Sequence, residues 1–595
     1  MADILSTGIS GLRAFQRALD VTSHNIANVS TPGYSRQRVE LQTREAERYG
    51  SGFLGTGVQI STVARSYDDL LATQMRGATS SSSRLDVYAS KAQVLNNLFA
   101  DSSTGLSASL QRFTNAVQGV SNDPTSTAAR QVLISEAQGL TQRLNTYDSR
   151  LQDVNAEINS RLGGEASTIT SIASSIAQLN GQIVSAQTSG QAPNDLLDAR
   201  DQQLATLSEH LNVQVVKQDD GAWNVFVGNG QSLVLGNQSA KLVAQRDSQD
   251  PSRLVIAYQA GSTTSDMSST LSGGTLGGLL DFRREMLEPA RNQLGQIAIA
   301  VATATNAQHR EGMDLQGNMG GDLFALGEVG VLPRNGNTGG ATVAVTRTST
   351  GALTASDYIL EYSGTAWSAR RADTGAAVPL GGAGTALDPF TADGLAFVVG
   401  GSPAAGDSFK IMPTAGAIHG MSVLITEPAK IAAAAPIRSS ASLANSGSGT
   451  ISAGEVLDAT NPALRNGVSI SFIDATHYSV NGAGSFAYTP GGNIDVNGWR
   501  AAISGAPAAG DTFTMASNAG GVGDNRNMLA MMQSLSQGIL SGGTESINGA
   551  VSRFVGGIGV STNQAQVGAE AQQVILQDTQ SAVDTVSGVN LDEEA

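Results

Sequence analysis

Apolar residues in this chain return at alternating steps of three and four over distances that a fold of short elements cannot use. The longest run comprises Leu133, Ala137, Leu140, Leu144, Tyr147, Leu151, Val154 and Ile158, and after Gly163-Gly164 it resumes at Ile169, Ile172, Ile176, Leu179 and Ile183. Such spacing puts every apolar side chain on one stripe of a helix, and that stripe needs another helix to cover it. A helix is therefore predicted from about Ser126 to Leu162, on the order of 55 Å long at 1.5 Å per residue, broken at the glycine pair. Two shorter runs precede it: Leu85, Tyr88, Ala92, Leu95 and Phe99, then Leu106, Leu110, Phe113, Val117 and Val120, parted by Ser-Ser-Thr-Gly. Rods packed on rods are the expected product.

The same stepping opens the chain. Leu5, Gly8, Leu12, Phe15, Leu19, Thr22, Ile26 and Val29 follow one another without a slip. Leu5, Leu12, Phe15, Leu19, Ile26 and Val29 are read as an assembly seam for another helix; the alternative is an amphipathic helix lying on the core of its own domain. The run ends within Ser-His-Asn-Ile-Ala-Asn-Val-Ser-Thr-Pro-Gly-Tyr-Ser-Arg-Gln, Ser23 to Gln37. Asn25 and Asn28 lie on the last turn, where Asn can end a helix in the left-handed conformation. Thr31, preceding proline, is driven extended, Pro32-Gly33 suits the centre of a type II turn, and Tyr34 offers an amphipathic anchor for the returning chain. Residues 1–34 are thus expected to form a helix and a fixed elbow.

Downstream, residues 35–334 read as a mainly helical domain with a small hairpin region at about 211–236, where Asp219-Asp220 are turn formers. A helix over 274–309 is expected to kink at Pro289. From about Asn335 to Gly520 heptads vanish and short alternating runs appear between glycine-rich turns. Gly401, Pro403, Gly406, Asp407 and Phe409 recur as Gly505, Pro507, Gly510, Asp511 and Phe513, so a first β-rich module (335–426) is expected to be repeated, after an Ala-rich linker, within 427–520. Helix returns in 521–595, with Val560, Val567 and Val574 spaced by sevens and Ala571 on the same stripe. The predicted fold class is multidomain α+β, with heptad-patterned helices from both chain ends forming an elongated helical domain into which the β modules are inserted.

Chemistry finds little foothold. The formal charge of −16 argues against nucleic acid or an anionic membrane as partner. With no cysteine there are no disulfides or thiolates. The five histidines lie far apart, and neither a phosphate-binding loop nor a nucleophile elbow is present. Asp314, Gln316 and Asn318 mimic the start of a calcium loop, but the glycine falls one position late and Ala325 stands where a bidentate glutamate belongs, so a structural turn is expected. The mixed-charge run Arg36 to Arg48 reads as a solvated face. No catalytic residue, cofactor or metal is predicted, and no enzymatic activity. The start of the chain lacks the basic and apolar regions of a secretory signal peptide, and no apolar run approaches the ~20 residues of a membrane span.

The elbow sequence from Asn25 to Gln37, continued by Gly55 to Arg76, resembles the N-terminal signature of the bacterial flagellar axial proteins, the family of rod, hook and hook-associated proteins. Asn194 to Gly236, Asn306 to Phe324 and Ser587 to Ala595 are similar to its hook-associated members, and the resemblance covers about residues 1–330 and 520–595. It implies a structural component exported by the flagellar type III apparatus without a cleaved signal peptide. It also implies a junction at the distal end of the hook that connects hook to filament and self-assembles through terminal coiled-coil helices. The implied partners are further copies in a ring or helical array, the hook protein, a second junction protein on the filament side and an export chaperone. In that family Ser587–Ala595 precedes a final helix that pairs with the N-terminal one, so that helix is expected to be absent here. A hook or distal-rod protein, or a secreted binding module acting through the β domains, are the alternatives.

Overall fold

A computed structural model describes residues 4–100, 105–187 and 192–594. The expected Ser-Ser-Thr-Gly break falls outside these residues except for Gly105, as does Ala595. Ten helices are described: α1 Ile4–Ala27, α2 Asp69–Phe99, α3 Leu106–Asn122, α4 Thr127–Gln187, α5 Asn194–His210, α6 Gly274–Phe282, α7 Glu288–Arg310, α8 Arg526–Ser536, α9 Ile547–Ser587 and α10 Leu591–Glu594. The stepping in the sequence is what they bury, since Leu133, Leu140, Leu144, Ile158, Ile169, Ile176 and Ile183 are all inaccessible.

One expectation about helix ends is corrected. α4 does not stop at Gly163-Gly164 but runs unbroken for 61 residues, about 90 Å at the helical rise. Each glycine costs only about 1 kcal/mol relative to alanine, and buried isoleucines and leucines on both sides outweigh that. At Pro289 the ladder adjusts beforehand: a π-helical turn at Arg283–Leu287 joins α6 to α7. Proline then stands near the start of a segment, where the amide hydrogen it lacks is least needed.

The chain forms two compact units: one holds residues up to Asn96, Asp153–Glu288 and those from Ile558 on, the other Asn97–Gln152 and Pro289–Gly557. In the first unit Tyr88 meets Phe282 edge-on at 6.3 Å, Lys91 pairs with Glu157, and Thr562 on α9 donates to the Ala92 carbonyl at 3.2 Å. The predicted hairpin region is a four-stranded antiparallel sheet (213–217, 223–227, 231–235, 238–239) followed by a three-stranded one (241–246, 254–260, 263–266). Asp220 does form its turn, accepting from the Ala222 amide at 3.0 Å. Not anticipated was a hairpin arm between α1 and α2, in which β1 Gln37–Thr43 pairs with β4 Val58–Arg65 and β2 Glu47–Tyr49 with β3 Gly52–Leu54. The charged run from Arg36 is therefore largely strand, with its side chains mostly exposed.

The second unit contains the repeat. Its first module orders strands 330–333, 408–412, 358–362, 367–371 and 377–378 in one sheet; its second orders 437–441, 512–517, 468–474, 477–480 and 483–487 in the same way, the first strand lying beside the last. Each has its own core: Tyr358, Leu360, Phe397 and Ile411 in one, Ile470, Trp499, Phe513 and Met515 in the other. The repeated aspartates close equivalent loops. Asp407 accepts from the amides of Thr338, Gly339 and Ala404 at 2.9, 3.1 and 2.9 Å, and Asp511 from those of Ser446, Gly447 and Ala508 at 2.7, 3.0 and 2.8 Å. Within the Ala-rich stretch Ile431 to Ala434 are buried, the small side chains of Ala432 to Ala434 letting the backbone lie close to its surroundings.

Candidate assembly interface

α1 carries two stripes. Thr7, Gly11, Ala14, Ala18, Val21, Asn25 and Asn28 also step by four and three, and this small-residue stripe is the one turned inward, with Ala14, Val21 and Asn25 buried where the helix packs on β1 and β4. Ser10 secures the contact by accepting from the Val58 amide at 3.2 Å. The large apolar stripe faces the other way: Leu5, Leu12, Phe15, Leu19, Ile26 and Val29 are all exposed, Phe15 and Leu19 at 67%. Among the described residues this row stays open to solvent from Leu12 to Val29. On α9 the expected stripe is likewise open, Val560, Val567 and Val574 all being more than half exposed.

The elbow is built as the residues suggested, with one correction. Gly33 has φ +77° and the Tyr34 amide donates to the Thr31 carbonyl at 3.2 Å, which is a type II turn centred on Pro32-Gly33. A Cβ at Gly33 would meet Oε1 at the far end of the Gln202 side chain at 2.5 Å, a contact that side chain can relieve by shifting, so it is the positive φ that calls for glycine. Neither asparagine turns left-handed; the positive-φ residues other than glycine lie elsewhere. Their amide side chains do the capping. Asn28 Nδ2 donates to the His24 carbonyl at 2.9 Å. Asn25 Oδ1 accepts from the Gln37 amide at 3.0 Å and the Tyr34 hydroxyl at 2.8 Å, while its Nδ2 donates to the Gln37 carbonyl at 2.9 Å and to Glu594 at 3.1 Å. Each polar atom of a buried amide is thus engaged, which is what burial demands. Burial first, then the nearby Asp198 charge, pushes the Tyr34 hydroxyl up to about 12, so it remains a donor. His24 Nδ1 lies 2.9 Å from that hydroxyl.

Beyond the turn the chain is pinned to α5. The Ser35 amide donates to Asp198 at 3.1 Å, and Arg65 reaches Asp198 and Asp201 at 2.8 and 2.6 Å. A cavity of about 410 Å³ remains between elbow and helix, lined by His24, Pro32, Gly33, Tyr34, Asp195 and Gln202 among others. Sequence reading missed the residues that close the elbow from the far end of the chain. Arg36 Nε donates to Glu594 at 2.7 Å, its Nη1 pairs with Glu593, and its amide donates to the Ser587 carbonyl at 2.8 Å. The one available signal was a basic residue after the turn and an acidic pair near the end of the sequence.

Among the described residues no group of three or more His, Asp or Glu side chains converges as a metal site would require, and no helix is long and apolar enough to cross a membrane. Asp314 spends its carboxylate on its own loop, accepting from the amides of Gln316 and Asn318, both at 2.8 Å.

Comparison with known proteins identifies the family of this chain. A model of the flagellar hook-associated protein FlgK helical domain matches residues 92–324, one of the flagellar hook-associated protein 1 D2-like domain matches 333–413, and one of the flagella basal body rod protein matches 5–34. The flagellar hook-associated protein 1 of Escherichia coli (strain K12) is 34% identical over 82% of this chain and 86% of its own length. That of Salmonella typhimurium is 37% identical over 73% and 79%. The structure of the flagellar hook junction protein FlgK from Burkholderia pseudomallei superposes with a TM-score of 0.80 at 32% identity, covering 87% of this chain and all of that one. Matching helices, matching β module and sequence identity across most of its length place this chain in the flagellar hook-associated protein 1 family.

Proposed function

We infer that the chain is a structural component of the bacterial flagellum that serves at the hook junction, joining hook to filament, and that it assembles through the open apolar row of α1. The observation that carries this is the orientation of that helix. Its small side chains pack inward while Leu5, Leu12, Phe15, Leu19, Ile26 and Val29 stand in water, an arrangement that is unfavourable until another helix covers it. On this reading the partners are further copies of the chain, the hook protein, a second junction protein on the filament side and an export chaperone. The protein works outside the cell after export without a cleaved signal peptide, and it has no catalytic role. The elbow of Asn25, Asn28, Thr31, Pro32, Gly33 and Tyr34 sets the angle between assembly helix and body, and the β modules decorate the assembly.

The test is to charge the row. Leu12→Asp or Leu19→Asp is expected to abolish incorporation at the hook tip while circular dichroism and the melting of the β modules stay unchanged, because both side chains are already solvated in the free chain. A charged variant that still supports filaments would overturn the seam assignment. In a deletion strain, intact hooks with filament protein released into the medium support a junction role, whereas missing hooks would favour the hook-protein alternative.

A further inference from the structure

The elbow is not made by N-terminal residues alone. Glu594, whose side chain is only 5% exposed, receives a hydrogen bond from each side of the bend: from Asn25 on α1 and from Arg36 just before β1. We propose that Glu594 is a latch that fixes the direction of α1, so that the apolar row is presented for assembly only when the segment that carries Glu594 has reached the elbow. This consequence for assembly rests on the reading of that row given above.

The geometry favours a positioning role over a surface ion pair. Asn25 has committed its oxygen and one amide hydrogen to Tyr34 and Gln37, which leaves its second amide hydrogen to Glu594. Arg36, in turn, is the residue whose carbonyl accepts from the Ser66 amide at 2.7 Å and whose amide donates to Ser587. The same carboxylate therefore ties the helix to the residue that leads into β1, and the backbone of that residue is held in turn by the end of α9. Removing that carboxylate strands a buried donor on Asn25 and leaves the half-buried Arg36 guanidinium with the solvated Glu593 as its carboxylate partner. Glu593 is different: its side chain is 57% exposed, and a solvated pair of that kind contributes little. Asn25 and Glu594 are separated by 569 positions, so this contact cannot form from local sequence and closes only once the two segments have met.

Hydrogen exchange of the full chain, read on the segment Ser23–Gln37, tests this. Glu594→Ala and Arg36→Ala are each expected to speed exchange there by about tenfold or more. The double variant should stay close to the larger single effect, because both substitutions dissolve one shared contact. Glu593→Ala should stay within about twofold, and the segment 437–517, which has its own core, should be unchanged in every variant. Elbow exchange at the unsubstituted rate in Glu594→Ala, or effects of the two substitutions that simply multiply, would overturn the latch. Incorporation at the hook tip is scored separately. A Glu594→Ala chain with a fast-exchanging elbow that incorporates normally would sever the latch from assembly, and it would do so without touching the seam, which the Leu12→Asp test decides.

Discussion

His309, wholly buried at the end of α7, shows how single side chains hold the second unit together. Its Nδ1 lies 2.7 Å from the Gly321 carbonyl and must donate, while Nε2 accepts from the Ala432 amide at 2.9 Å. Both contacts require the neutral ring. One turn earlier, Asn306 does the same for the adjacent loop, accepting from the amides of Leu323 and Phe324 and donating to the Phe324 carbonyl. Burial pushes the His309 pKa down to about 4. A base whose folded pKa is depressed binds its proton more readily when unfolded, so the stability it supports is complete above pH 6.5 and is lost as pH falls from there toward 4. The full loss corresponds to about 3 kcal/mol. His309→Gln, which keeps a donor and an acceptor but cannot titrate, should flatten the fall in urea midpoint between pH 7 and pH 4.5 relative to the parent chain; parallel curves would refute this. The sequence showed Asn306 to Phe324 only as a motif shared with a family. Why it reads as it does becomes visible once the loop returns to the helix that precedes it. Pro32-Gly33 was legible because its turn is local, whereas Glu594 was not, because its partners lie at the other end of the chain.

At the scale of elements, periodicity located the helices well and judged their interruptions badly. Gly163 and Gly164 look like a stop in a one-dimensional reading, since glycine disfavours helix, yet the buried positions flanking them belong to one continuous rod. A Cβ at either position would meet nothing within 4 Å. Gly163→Ala and Gly164→Ala are therefore each expected to stabilise the chain by about 1 kcal/mol, seen as a raised urea midpoint with no change in secondary structure. A lowered midpoint would mean that the pair is needed for bending instead of being tolerated. α1 teaches the complementary lesson. A search for large apolar side chains finds Leu12, Phe15 and Leu19, and these are the ones left in solvent. The stripe that packs within the chain is made of Gly11, Ala14 and Ala18, too small to register in a hydrophobic pattern but suited to close contact with a two-stranded arm. That arm itself was missed because its strand Gln37–Thr43 is charged and exposed, so burial left little imprint on its sequence.

Across the whole molecule, three tryptophans fall in three separate places: Trp223 in the four-stranded sheet of the first unit, Trp367 in the first β module and Trp499 at the centre of the second. The repeat that relates the modules was legible from their last strands and the loops before them. It extends further in space than in sequence. Asn337 and Asn445 play one role, each bonding both the amide and the carbonyl of the residue after the repeated aspartate. They lie 108 residues apart where Asp407 and Asp511 lie 104 apart, so a constant offset hides them. Because each module has its own core, each should respond to damage at its own aspartate. With the other two tryptophans replaced by phenylalanine, Asp511→Ala is expected to lower the urea midpoint reported by Trp499 while leaving that reported by Trp223 in place. Equal shifts at both reporters would mean that the second module unfolds together with the rest. Acid offers an independent check on the same loop. The amides of Ala508, Ser446 and Gly447 hold the Asp511 carboxyl below the usual carboxylate range, so its contribution is present above the unfolded pKa near 4 and fades as pH drops through the lower folded value. Below pH 4, therefore, the Trp499 midpoint of the parent chain should converge on that of Asp511→Ala, since protonation and substitution remove the same anchor for three backbone amides.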